Sequence, residues 1–161
     1  MKETYLQSFQ YKILNRILNC NYNLHKWGIK LSPNCNFCEN VDTITHHLFE
    51  CEKSLKFWRE VQAFIDEKLG VSLCFTVCEI IFGVPLEGDP LAVILNNIFI
   101  LGKQYINKNR SNSKDLIFLE FKYILRAKIE VLLMVEKRQK ERLDEDSFNL
   151  KLHYFDLLYQ E

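Results

Sequence analysis

Glycine and proline are scarce, five and three in 161 residues, which argues against a β-rich fold full of tight turns. Net charge is absent too, with 21 basic and 21 acidic side chains, so the chain as a whole carries no field to draw it to a polyanion or a membrane. The longest apolar runs, such as LAVILNNIFIL, are interrupted and fall short of the roughly 20 residues needed to cross a bilayer. No secretory leader is visible, since Met1 is followed directly by charged residues. The six cysteines are therefore read as reduced, intracellular thiols rather than a disulfide framework. No internal repeat or low-complexity tract occurs.

What the chain does have is apolar mass. Twelve phenylalanines, seven tyrosines, two tryptophans and an apolar content of 48% are ample for a real core. With so few turn formers, the expectation is an all-α protein: a helical domain with an inserted small zinc-binding knuckle and a helix-rich C-terminal bundle.

The knuckle is read from SPNCNFCENVDTITHHLFEC. Cys35, Cys38, His46 and Cys51 follow the spacing C-x2-C-x7-H-x4-C, which can close a tetrahedral shell of three thiolates and one imidazole around a zinc ion. Four protein ligands leave no position for water, so one structural Zn2+ is expected rather than a catalytic one. Two histidines compete for the fourth place. His46 is favoured as ligand and His47 as its solvated or supporting neighbour, although His47 lies four residues before Cys51 and could also chelate from a helix. Cys20, Cys74 and Cys78 are read as unpaired buried thiols.

Apolar spacing predicts helices over 4–19, about 54–69 ending at Gly70, 91–109, 114–142, and a last one from 144–147 to near Tyr159. A short helical or extended piece, NLHKWGI, stops at Gly28, and Thr43 or Asp42 is a candidate N-cap for a helix carrying His46 and Cys51. CFTVCEIIF at 74–82 has strand composition, so residues 72–82 are left as helix or strand. On the 114–142 helix, Ile117, Phe121, Ile124, Leu125, Leu132 and Val135 are expected to face inward. Residues 91–109 are apolar almost all round and should form the central buried helix. Gly83, Pro85, Gly88 and Pro90 mark a linker over 83–90, dividing an N-terminal unit at 1–82 from a C-terminal bundle at 91–161. Charge is segregated along the chain: 103–142 holds eleven Lys or Arg against five Asp or Glu, while 60–90 is acidic.

With these residues in view, the segment from LQSFQYKILNR to SLKFW resembles the zinc-binding segment at the C-terminal end of reverse transcriptases of non-LTR (LINE-type) retrotransposons. The resemblance is carried by Lys12, Arg16 and Leu18 as K-x3-R-x-L, then Trp27-Gly28-Ile29. It continues through Ser32, Cys35 and Cys38 as S-x2-C-x2-C, Asp42-Thr43, His46, and Cys51 to Trp58 as C-x6-W. The family usually has glutamate before the threonine, and His47 sits where leucine is expected.

The resemblance implies a CCHC zinc-binding, non-catalytic C-terminal domain of a retrotransposon polyprotein. Its partners would be the element's RNA (its 3′ region) and/or target DNA during target-primed reverse transcription, together with the rest of the polyprotein. Nucleus and cytoplasm are the expected locations. The polymerase signature [FY]-x-D-D is absent from the sequence, as is a convincing nuclease pattern. Neither a catalytic activity nor a small-molecule substrate is expected. For nucleic acid, Lys12, Arg16, Lys26 and Lys30 are the candidate phosphate contacts, with Tyr22, Tyr11, Trp27 or Phe37 available to stack on unpaired bases. Trp27 and Trp58 are more readily read as core. The alternative is a zinc-stabilised interaction module that docks onto the polymerase or a host factor through its acidic middle and apolar helices.

Overall fold

The computed structural model describes residues 4–86, 89–139 and 145–159. Among them lie seven α-helices and one π-helical turn, with no strand beyond an isolated antiparallel bridge between Asn34 and Val41. The helices are α1 (Thr4–Leu14), α2 (Asn21–Lys26), α3 (Glu52–Leu69), α4 (Val77–Phe82), α5 (Pro90–Ser111), α6 (Phe118–Gln139) and α7 (Glu145–Tyr159). The π-turn, His46–Glu50, runs directly into α3. The all-α expectation is met. Among the described residues, no helix is long and apolar enough to cross a membrane.

Helix α1 buries Phe9 and Ile13 and stops five residues before the predicted end. Its closure is a Schellman motif: Ile17 N donates to Lys12 O at 2.9 Å and Arg16 N to Ile13 O at 3.0 Å, with Arg16 in the left-handed region at φ 59°. The side-chain amide of Asn23 then donates to Arg16 O and Leu18 O at 2.9 and 2.7 Å. That clamp pulls Leu18 into the core, which a continued helix could not do. Helix α2 closes the same way, with Gly28 at φ 75° and Ile29 N bonded to Leu24 O at 2.8 Å, the stop that Gly28 announces.

Strand composition loses at 77–82. Thr76 and Glu79 form a complete capping box, each satisfying the other's backbone N–H, and this starts α4. Helix α5 begins at Pro90, with Asp89 Oδ1 accepting from Leu91 N at 2.8 Å. It is the central helix and packs on α1, α4, α6, α7 and the π-turn. Of the 83–90 linker, residues 87–88 lie outside the described residues, as do 140–142 of the helix expected over 114–142 and Asp144 at the expected start of the last one. Val84 is tied to α5 by a reciprocal pair of bonds with the Asn96 side chain, at 2.8 and 2.9 Å.

One cluster of buried side chains runs from Phe9 to Leu158 and draws on every α-helix but α2. Its centre is aromatic: Phe57 meets Trp58 and Phe121 edge-on at 5.3 and 5.0 Å, and Phe99 meets Trp58 at 6.1 Å. Gly102 leaves the room for Trp58, since a Cβ there would come within 2.5 Å of the indole ring. In α6 the inward stripe is Phe121, Leu125 and Ile129, with Leu132 half-buried. Ile124 and Val135, expected inside, are exposed because α6 packs on α3, α5 and α7 along a single stripe; Ile117, also expected inside, is exposed ahead of α6, which starts at Phe118 rather than at 114.

Candidate metal centre

The first claw is a tight turn held by the hairpin around it. Cys35 N donates to Asn40 O at 2.8 Å and Asp42 N to Pro33 O at 2.9 Å, so Cys35 and Cys38 are presented from one loop. Inside the turn, Phe37 N donates to Cys35 Sγ at 3.3 Å. The second claw depends on the π-turn. Thr43 Oγ1 accepts from His46 N at 3.1 Å, the cap expected of Thr43, and Cys51 N closes an i→i−5 bond to His46 O at 3.0 Å. On an α-helix, residues five apart lie about 140° apart around the axis. The wider π-turn brings them to the same side, which is how the spacing H-x4-C becomes a chelate.

The four donor atoms of Cys35, Cys38, His46 and Cys51 all lie within 4.8 Å of one another. Cys35 Sγ and Cys51 Sγ are 3.8 Å apart, and Cys38 Sγ stands 3.3 Å from His46 Nε2. Thiolates bonded to one tetrahedral zinc at about 2.3 Å sit about 3.8 Å apart, so the donor set fits a single zinc ion. Cys35, His46 and Cys51 are buried and Cys38 is partly so.

Electrostatics favour the ligand forms at two positions. Burial alone would push the Cys35 thiol up, but the Phe37 amide and the Arg110 guanidinium more than offset it and hold it below its usual range. Burial, with Arg110 nearby, lowers the His46 pKa and keeps its imidazole neutral, the form that binds metal. Cys38 is raised, chiefly by burial.

His46 is the histidine in the cluster. His47 lies outside the cluster of donors and is not solvated: it is 4% exposed, and its Nδ1 donates to both oxygens of Asp42 at 3.2 and 3.1 Å. Asp42 also accepts from Asn21 N at 3.0 Å and Arg110 Nη2 at 3.1 Å. Burial would raise the Asp42 pKa, but these partners, His47 first, hold its carboxyl below the usual range.

The expected nucleic-acid residues Lys12, Arg16, Tyr22, Lys26 and Lys30 are all exposed on α1, α2 and the segments that follow them. Lys12 and Arg16 no longer share a helix, because α1 ends between them. Lys30 Nζ donates to Asn21 Oδ1 at 2.8 Å. Tyr11 and Trp27 are exposed as well, so Trp27 is not the core residue expected, whereas Trp58 is buried and donates from Nε1 to Leu48 O at 2.8 Å. Phe37 is half-buried under Arg110 and Lys53, at 5.4 and 5.8 Å from its ring centre. Cys20 is buried as expected, but Cys74 and Cys78 are exposed, because the chain there runs along the surface into α4.

Asp42 beyond its capping role, Ser54 and Arg110 were not foreseen as parts of this centre. The available signal lay on α5, where Lys103 and Arg110 recur seven residues apart on an otherwise apolar stripe.

Residues 3–58 match the family model described as zinc-binding in reverse transcriptase, over roughly a third of the 161 residues. The matched stretch contains all four donors and ends at Trp58. No curated protein and no solved structure matches the chain. The chain thus carries a zinc-binding domain of the kind associated with reverse transcriptases, and that family describes metal binding rather than a catalytic centre.

Proposed function

We infer that this chain is the non-catalytic C-terminal part of a LINE-type reverse transcriptase, and that it holds element RNA or target DNA during target-primed reverse transcription in nucleus and cytoplasm. One observation carries the reading beyond the family match. Lys12, Arg16, Lys26 and Lys30 stand exposed, as do the rings of Tyr11, Tyr22 and Trp27 that alternate with them along the chain, all within the matched segment. Cations for phosphates interleaved with rings for unpaired bases is the composition of single-strand and loop-binding surfaces.

Zinc fixes the hairpin onto which α2 is tied: Asn21, at the start of α2, donates to Asn34 O at 2.6 Å and to Asn36 Oδ1 at 3.0 Å. The metal thereby sets where Tyr22, Lys26 and Lys30 stand.

The test is fluorescence anisotropy with labelled element 3′ RNA and a scrambled RNA across a salt series. Four phosphate contacts give a slope of log affinity against log salt of about −3 on a single strand. Lys12→Ala with Lys26→Ala should flatten that slope by about 1.4 without unfolding the protein. Binding that ignores both the salt and the substitutions would sink the reading.

A second reading, docking onto the polymerase or a host factor, is favoured by a different surface. Leu119, Tyr123, Ile124, Val131, Met134 and Val135 form an exposed apolar stripe along α6. Ile124→Glu would abolish such an association and leave RNA binding untouched.

A further inference from the structure

The matched segment ends at residue 58, yet the metal centre does not. Arg110, in the last turn of α5, is 3% exposed and reaches back across the sequence to the first claw. Its Nη2 donates to Cys35 Sγ at 2.9 Å and to Asp42 Oδ1 at 3.1 Å, and its Nη1 donates to Ser54 Oγ at 3.0 Å. Ser54 Oγ in turn donates to His47 O at 2.9 Å, inside the π-turn. The guanidinium also lies over the ring of Phe37, between the two cysteines of the first claw. One side chain thus touches the turn carrying Cys35, the hairpin strand carrying Asp42 and the start of α3. Through Ser54 it is linked to the π-turn carrying His46.

Charge explains why a cation is needed there. Three thiolates around a divalent ion leave one net negative charge, and that charge is buried. The Asp42 carboxylate adds a second. Among the described residues, Arg110 is the cation bonded to both, and an N–H bond to a metal-bound sulfur fixes the sulfur's orientation and offsets its charge.

We propose that Arg110 is a positioning residue for the zinc centre, so that the metal is held tightly only while α5 is docked on the claw. Zinc occupancy and the packing of α5 are then one equilibrium, and the functional metal unit extends well past the segment that resembles reverse-transcriptase zinc domains. The proposal rests on the zinc assignment itself, and wild-type metal content separates the two.

The experiment uses the full chain. Zinc affinity is measured by competition with a chromophoric chelator for wild type, Arg110→Ala, Arg110→Lys and the core control Ile106→Val, which is buried in the same helix but bonded to no ligand. Cobalt(II) replaces zinc in parallel, its thiolate charge-transfer and ligand-field bands reporting the coordination sphere. Arg110→Ala should weaken zinc roughly ten- to a hundredfold and shift the cobalt bands. Arg110→Lys should recover part of the loss, and Ile106→Val should leave the bands unchanged.

Hydrogen exchange on the wild type needs no variant. Chelating the zinc should speed amide exchange at 108–111 together with 35–51. Unchanged affinity and bands in a folded Arg110→Ala protein would overturn the proposal. So would α5 protection indifferent to the metal, or an equal effect from Ile106→Val. A wild-type protein that retains no zinc would overturn the metal assignment along with it.

Discussion

Arg16 holds the left-handed backbone that closes α1, a place where glycine is the usual occupant because a Cβ costs roughly 1 kcal/mol or more there. Arg16→Gly should therefore raise stability by about 0.5–1 kcal/mol in urea unfolding. The same change removes one of the proposed phosphate contacts, so RNA affinity should fall while stability rises. Loss of both would mean that the arginine side chain has a structural role its exposure does not suggest. This scale was legible in part. The four donors could be read from spacing alone, because a chelate demands particular residue types at particular intervals. His46 against His47 could not be settled that way, since either could reach a metal from a helix; what separates them is the π-turn, which sets His46 Nε2 3.3 Å from Cys38 Sγ and turns His47 towards Asp42. Trp27 misled because tryptophan usually lies in a core, whereas here it follows α2 at the surface and is exposed.

Helix α5 carries a second buried cation, one with no acidic partner among the described residues. Lys103, 2% exposed, donates to Gln10 Oε1 on α1 at 2.6 Å and to Ile81 O on α4 at 2.9 Å, pinning three helices at one point. Burial pushes its pKa down from 10.5 to about 7. The unfolded chain then binds the extra proton above pH of about 7, so this group's contribution to stability is lowest below that pH and improves as pH climbs toward the unfolded value. The full swing is on the order of 5 kcal/mol. Lys103→Met should flatten the slope over that window, as urea midpoints at successive pH values would show. A slope identical in both proteins would mean that Lys103 stays charged when folded. Elements ending at a glycine or starting at a cap were readable: α3 stops at Gly70 and α5 starts on Asp89-Pro90. The Thr76-x-x-Glu79 box was equally present in the sequence, but a run of β-branched and aromatic residues hid it. In α6 two stripes of similar apolarity compete, and only packing against α3, α5 and α7 selects Phe121, Leu125 and Ile129.

The whole molecule shares its buried side chains across residues 83–90, from Phe9 on α1 to Leu158 on α7. Zinc-loaded protein should accordingly unfold in one transition, with calorimetric and van't Hoff enthalpies equal. Two transitions would instead make 83–90 a boundary between independently folding units at 1–82 and 91–161. The expectation of one transition rests on long-range contacts such as Arg110 to Cys35, and no local pattern announces a pairing across 75 residues. The distribution of sulfur supplies a means to follow the metal. Cys74 and Cys78 stand open to solvent and Cys20 is sealed in the core, while the other three sulfurs belong to the claw. A maleimide or disulfide reagent added to the native holoprotein should modify two side chains quickly, and five once zinc is withdrawn. The jump in titratable thiol becomes an optical clock for metal release, and a dye placed at the entrance to α4 watches it without touching a ligand.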